Sequence, residues 1–174
     1  KKNYFLIKKE KEIDKWIEEA EEFGELAIDT ETSSLDPHQA ELIGVSLSTQ
    51  IGKACYIPIG HKSQDCLNKE DVLKKLKPLL EDKSIKKIGQ NIKFDFIVLY
   101  KHGIKMSCME DTMLMSYVLD AGKNRHNMDV LSEIHLNHKT ISFKELVGSG
   151  KKEINFSEVE LNKAMEYAAE DADI

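Results

Sequence analysis

The chain has 174 residues, 41% of them hydrophobic and 32% charged, a globular composition that suits one domain with a single sizeable core. Thirty-one acids against 25 Lys and Arg give a net charge of −6, which excludes a protein that holds nucleic acid by bulk positive charge but not one with a small nucleic-acid site. Three cysteines (Cys55, Cys66, Cys108) with no CxxC pair argue against a disulfide framework and for a reducing compartment, and the longest uncharged stretch, 11 residues from Leu42 to Gly52, is too short to span a bilayer.

In chain order, the apolar run Tyr4–Ile7 predicts a short strand. Ile13, Trp16, Ile17 and Ala20 then share one helical face, opposite Glu18, Glu19, Glu21 and Glu22, and Gly24 ends that helix. Strands are expected at Glu25–Thr32, Leu42–Ser48 and Ala54–Ile59, and their short connections favour antiparallel pairing. A helix over Lys69–Leu80, a strand over Ile85–Gly89 and helices over Asn91–His102, Asp111–Leu119 and Asn127–His135 follow. Lys139–Phe156 reads as a loop with a short helix around Phe143–Val147, and Ser157 with Glu160 forms a capping-box pattern opening a last helix that runs to the end. This order predicts an α/β domain, a mixed sheet with helices packed on it. The first residue is Lys1 and the last lies inside a helical pattern, so residues 1–174 are expected to be one domain of a longer polypeptide.

The anomaly in this pattern is chemical. Asp29 and Glu31 lie two apart in the otherwise apolar strand LAIDTET and therefore point to one face. Carboxylates so placed repel unless a cation separates them or solvent reaches both. A D-x-E alone is most often a solvated strand end. Two further clusters change that balance. Asp95 falls in the first turn of the helix that follows GQNIKFD, and Tyr167 and Asp171 stand at i and i+4 on the last helix among small alanines. Four carboxylates and a tyrosine form a hard-oxygen donor set for Mg²⁺ or Mn²⁺, and two such cations can hold the attacking and leaving oxygens of a phosphoryl displacement.

The stretches AIDTETSSLDP, GQNIKFD and YAAEDAD resemble the three motifs of the DEDDy 3′–5′ exonucleases, most closely those of the proofreading domain of bacterial family A DNA polymerases, the DNA polymerase I type. The likeness runs from about Leu26 to Asp173 and takes in DTMLMSYVLD, RHNMDVL and HKTISF. It implies a ribonuclease H-like fold with a five-stranded mixed sheet flanked by helices. It implies two divalent cations, Mg²⁺ or Mn²⁺, on Asp29, Glu31, Asp95 and Asp171, with Asp29 bridging both and Tyr167 orienting the attacking water. Thr30, Leu35, Gln90, Asn91, Arg125 and Phe143 are the substrate-binding positions that the resemblance implies, Leu35 wedging against terminal bases, Phe143 packing on the strand end and Arg125 holding phosphate. Phe94 stands where the family often has Tyr. The implied activity removes nucleoside 5′-monophosphates from the 3′ end of single-stranded or frayed DNA during replication and repair. The implied partners are that DNA end and the polymerase domain of the same chain; no membrane partner is expected. The isolated domain is expected to be a monomer, in the bacterial cytoplasm near the nucleoid. An RNase D-like exoribonuclease with the same ligands and an inactive scaffold are the alternatives.

Outside these motifs, His135 and His138 have metal-like spacing but nothing completes a zinc site, so they are expected at the surface. Lys69–Lys93 holds eight lysines and four acids and reads as a solvated face. Met106, Met109, Met113 and Met115 read as core filler.

Overall fold

The structure, a computed structural model, describes residues 2–62 and 65–174. Along the chain come β1 (Asn3–Leu6), α1 (Glu12–Phe23), β2 (Glu25–Thr32), β3 (Leu42–Gln50), β4 (Lys53–Pro58), α2 (Lys69–Glu81), β5 (Lys86–Gly89), α3 (Ile92–Lys101), β6 (Met109–Asp111), α4 (Thr112–Asp120), α5 (Met128–Leu136), α6 (Phe143–Val147) and α7 (Leu161–Asp173). The sheet order is β1-β4-β3-β2-β5-β6. β2, β3 and β4 pair antiparallel, as their short connections require, while β1 on β4, β5 on β2 and β6 on β5 are parallel. The sheet thus has six strands where five were expected. The sixth, Met109–Asp111, is three residues long, too short to leave a period-2 pattern before α4 begins.

The two faces of the sheet bury different layers. Leu26 and Ile28 of β2 join the larger core with Ile13, Trp16 and Ala20 of α1, Val72, Leu76 and Leu80 of α2, and Val98 and Leu99 of α3. On the opposite face α7 lays Ala164, Met165 and Ala168 against Ile43 and Tyr56. The alanines let α7 approach the strands closely, and alternation along β2 aims Ala27, Asp29 and Glu31 at that helix while Leu26, Ile28 and Thr30 face the other way. Gly44 of β3 pairs with Glu31 in register, and a Cβ there would lie 2.1 Å from the Tyr56 hydroxyl, so only glycine lets the Tyr56 ring cross it.

Three expectations are corrected. The capping box sits on Asn155 and Glu158, which open a 3-10 turn at Phe156–Glu158. Ser157 is inside that turn, buried Val159 is extended, and α7 starts only at Leu161, capped by the Glu160 carboxylate on the Asn162 and Lys163 N–H groups. Of the four methionines only Met106 is core; Met109 is exposed on the short edge strand β6, and Met115 is exposed on α4, which buries none of its residues. Lys87 is not solvated: it is fully buried and donates to the carbonyls of Asp82 and Ile85, which offsets the cost of burying an ammonium. Among the described residues no helix is long and apolar enough to cross a membrane.

Candidate active site

β2 runs past the end of its pairing with β5, whose last partner on it is Ala27, so Asp29 and Glu31 stand at an open sheet end beside α7. Asp29, Glu31 and Asp171 each bring a carboxylate oxygen within 4.8 Å of the others. Glu31 is 7% exposed, and its Oε1 is buried without a hydrogen-bond partner. An orphaned carboxylate oxygen aimed at two other carboxylates is the mark of a cation site, since unpaired buried charge is otherwise strongly disfavoured. These residues therefore fit a hard divalent cation.

Electrostatics says the same. Burial first, then the charges of Asp95, Glu31 and Asp171, raise Asp29 well above the carboxylate range. Glu31 is raised by burial and by Asp171 and Asp95. Asp171 is pushed up to about 7, by burial first and then by Glu170 and Asp129, while the facing Tyr167 hydroxyl pulls it down. Burial and the Asp171 and Glu31 charges raise Tyr167 far above the usual phenol value, so its hydroxyl keeps its proton.

Asp95 comes from the other layer. It lies in the first turn of α3, which starts at Asn91 with φ 56°, a left-handed corner held by the Asn91 N–H donating to Asp111 Oδ1 at 3.0 Å. Asp95 is 3% exposed and stands outside the three-carboxylate group. Its Oδ1 accepts from the Thr30 N–H at 3.0 Å and the Thr30 hydroxyl at 2.5 Å. Burial pushes Asp95 up to about 7 against the pull of those bonds.

A cleft of about 990 Å³ opens over this group, lined by Asp29, Thr30, Glu31, Leu35, Asn91, Phe94, Phe143, Tyr167 and Asp171, among others. Leu35 is 96% exposed at its rim, and Phe143 is partly exposed with its ring 5.8 Å from that of Tyr167. The other expected substrate positions are placed differently. Gln90 gives its amide N–H to the His126 carbonyl at 2.7 Å and accepts from the Thr112 hydroxyl at 2.6 Å, so its side chain ties the turn between β5 and α3 to the start of α4 and to the loop after it. Arg125 is exposed beside a separate hollow with Tyr117 and His126. His138 bonds Glu170 at 2.9 Å and His135 is exposed on α5. Phe156, which belongs to none of the sequence motifs, stacks under Phe143 at 6.3 Å, lies tilted against Tyr167 at 6.1 Å and lines the cleft. Its one sequence signal is an apolar ring just after a capping Asn.

With this geometry in place, the comparisons are specific. The 3′–5′ exonuclease family matches residues 4–174. DNA polymerase I of Rhizobium leguminosarum is 42% identical over 98% of the chain and DNA polymerase I of Pseudomonas aeruginosa 39% over 99%, but the chain spans only 19% and 20% of those proteins. Among solved structures, Brucella melitensis NrnC with bound Mg²⁺ superposes with a TM-score of 0.67 at 26% identity, over 98% of this chain and 74% of that one. The fold is the ribonuclease H-like exonuclease fold, and the chain belongs to the 3′–5′ exonuclease domain family of DNA polymerase I.

Proposed function

We propose that this chain removes nucleoside 5′-monophosphates from the 3′ end of single-stranded or frayed DNA, as the single exonuclease domain of a bacterial DNA polymerase I that also carries a polymerase domain. The observation that carries the reading is the carboxylate group of Asp29, Glu31 and Asp171 with its orphaned Glu31 oxygen, open to a cleft of about 990 Å³. Such a group is held together by divalent cations, Mg²⁺ or Mn²⁺, and the Brucella relative carries Mg²⁺. Glu31 and Asp171 would hold one cation and Asp95 the second, with Asp29 serving both. Bound there, the pair would lower the pKa of a water and stabilise the attacking and leaving oxygens.

The chain's own groups do the rest. Tyr167, kept protonated by its surroundings, donates a hydrogen bond and orients the water rather than deprotonating it. Leu35 and Phe143 give apolar surfaces for the last bases, which any base can stack on, so the end is held without sequence preference. Net charge −6 makes the grip weak, so an unpaired 3′ end enters the cleft more readily than duplex is held. The unit acts as a monomer on nucleoid DNA in the cytoplasm.

The test is digestion of 3′-labelled DNA and RNA strands of one sequence with Mn²⁺, Mg²⁺ or chelator. Cation-dependent release of 5′-monophosphates from DNA, absent in Asp29→Ala, is expected. Preference for RNA would make the chain an exoribonuclease, and a wild type without turnover would make it a scaffold; either result overturns the proposal.

A further inference from the structure

Thr30 sits between the two acids of β2, yet its side chain points through the sheet to the opposite layer. There it meets Asp95, 65 residues further along the chain, and gives it both the backbone N–H at 3.0 Å and the hydroxyl at 2.5 Å. Both donors converge on Oδ1. Oδ2 is the oxygen that these two donors leave for a cation. The backbone of this turn is pinned independently, by the Asn91 N–H on Asp111 Oδ1, which also caps α4 through the Met113 and Leu114 N–H groups. The side-chain rotation of Asp95 is thus the freedom that Thr30 removes.

We propose that Thr30 is a positioning residue: by locking Oδ1 of Asp95 it turns Oδ2 toward Asp29 and builds the second cation position, which Asp29, Glu31 and Asp171 do not make by themselves. The proposal rests on the metal-site reading above and adds which residue decides the number of cations held. Three oxygens from the α7 face form a group without Asp95, so the first cation does not depend on Thr30. The second does, because an unanchored Asp95 carboxylate buried among like charges turns away from them. Thr30 needs both its hydroxyl and its strand N–H for this, and Ser keeps both whereas Val keeps only the N–H.

The experiment is calorimetric titration of Mn²⁺ into the chelator-treated chain at neutral pH, beside melting curves. Wild type is expected to bind two cations. Thr30→Val keeps the first and weakens the second by about 10- to 100-fold, the usual cost of losing a group that orients a ligand. Thr30→Ser restores the second. Should the valine variant not fold, Thr30→Ala takes its place. An unchanged second site in a folded Thr30→Val or Thr30→Ala chain overturns the proposal. So does a serine variant that fails like valine, or a wild type that binds one cation only. Asp29→Ala separates the two layers of the argument: if it keeps both cations, the metal-site reading itself is wrong, whatever Thr30 does.

Discussion

Glu170 and Asp171 are neighbours in the last turns of α7, and their surroundings are opposite. Glu170 is 2% exposed and accepts from Lys2, from His138 at 2.9 Å and from the Ile141 N–H at 2.6 Å. Despite the cost of burial, those donors hold its carboxyl below the usual range. Asp171 turns about 100° further round the helix to Asp29 and Glu31, and is pushed up to about 7. Asp173 resembles Glu170: it accepts from the Tyr4 hydroxyl at 2.9 Å and the Gly52 N–H at 2.6 Å, tying the helix end to β1 and the β3–β4 turn. Burial alone therefore does not distinguish a working acid from an anchoring one. What distinguishes them is whether the protein supplies donors or further acids.

That contrast can be broken by substitution. The largest effect is expected for Asp171→Asn, which should lower nuclease turnover by about 10³-fold, the upper range for loss of one group that stabilises developing charge. Glu170→Gln should leave the turnover of folded protein near wild type yet lower stability by about 2–3 kcal/mol, as for a buried charge-assisted bond, read by denaturant melting. If the two variants exchange phenotypes, the division of labour is wrong.

A smaller effect sharpens the electrostatic side. The raised acids bind more protons folded than unfolded between pH 3.8 and about 7, so without cations their contribution to stability must fall as pH rises through that window. Glu170 has the opposite sign, and its contribution disappears only below the usual carboxylate range. His61 and His102, lowered chiefly by burial, bind fewer protons folded than unfolded and so contribute with the opposite sign to the raised acids. The melting shift caused by Mn²⁺ should be larger at pH 7.5 than at 5.5 and vanish in Asp29→Ala; a shift that grows toward acid would contradict the repulsion. Smallest of all, Asp171→Asn should raise the cation-free melting temperature by about 2–4 °C, since it removes about 1 kcal/mol of repulsion.

Much of the site could be read in one dimension. Asp29 and Glu31 share a strand face by period 2, and Tyr167 and Asp171 share a helix face by i, i+4, so short-range geometry settles each pair. Elements ending at strong local signals were also legible: Gly24 with φ 71° ends α1, and Phe143–Val147 is helical where expected. Other features depend on distant partners. Nothing near Thr30 reveals that its hydroxyl serves Asp95 rather than a substrate. Nothing near Gln90 reveals that His126 and Thr112 occupy its amide. Arg125 carries the right chemistry for phosphate, and its loop places it on a hollow with Tyr117 and His126 rather than in the lining of the carboxylate cleft.

The donor set, its order along the chain and the alternation of secondary structure follow from residue type and spacing alone. Which acids meet depends on how distant elements pack. The closeness of α7 to β2, permitted by its alanines, brings Asp171 to Asp29 and Glu31. The left-handed corner at Asn91 delivers Asp95 from the other layer, and Thr30 fixes it there. A carboxylate's role is set by the charges and donors around it, and those come from residues far away in the chain.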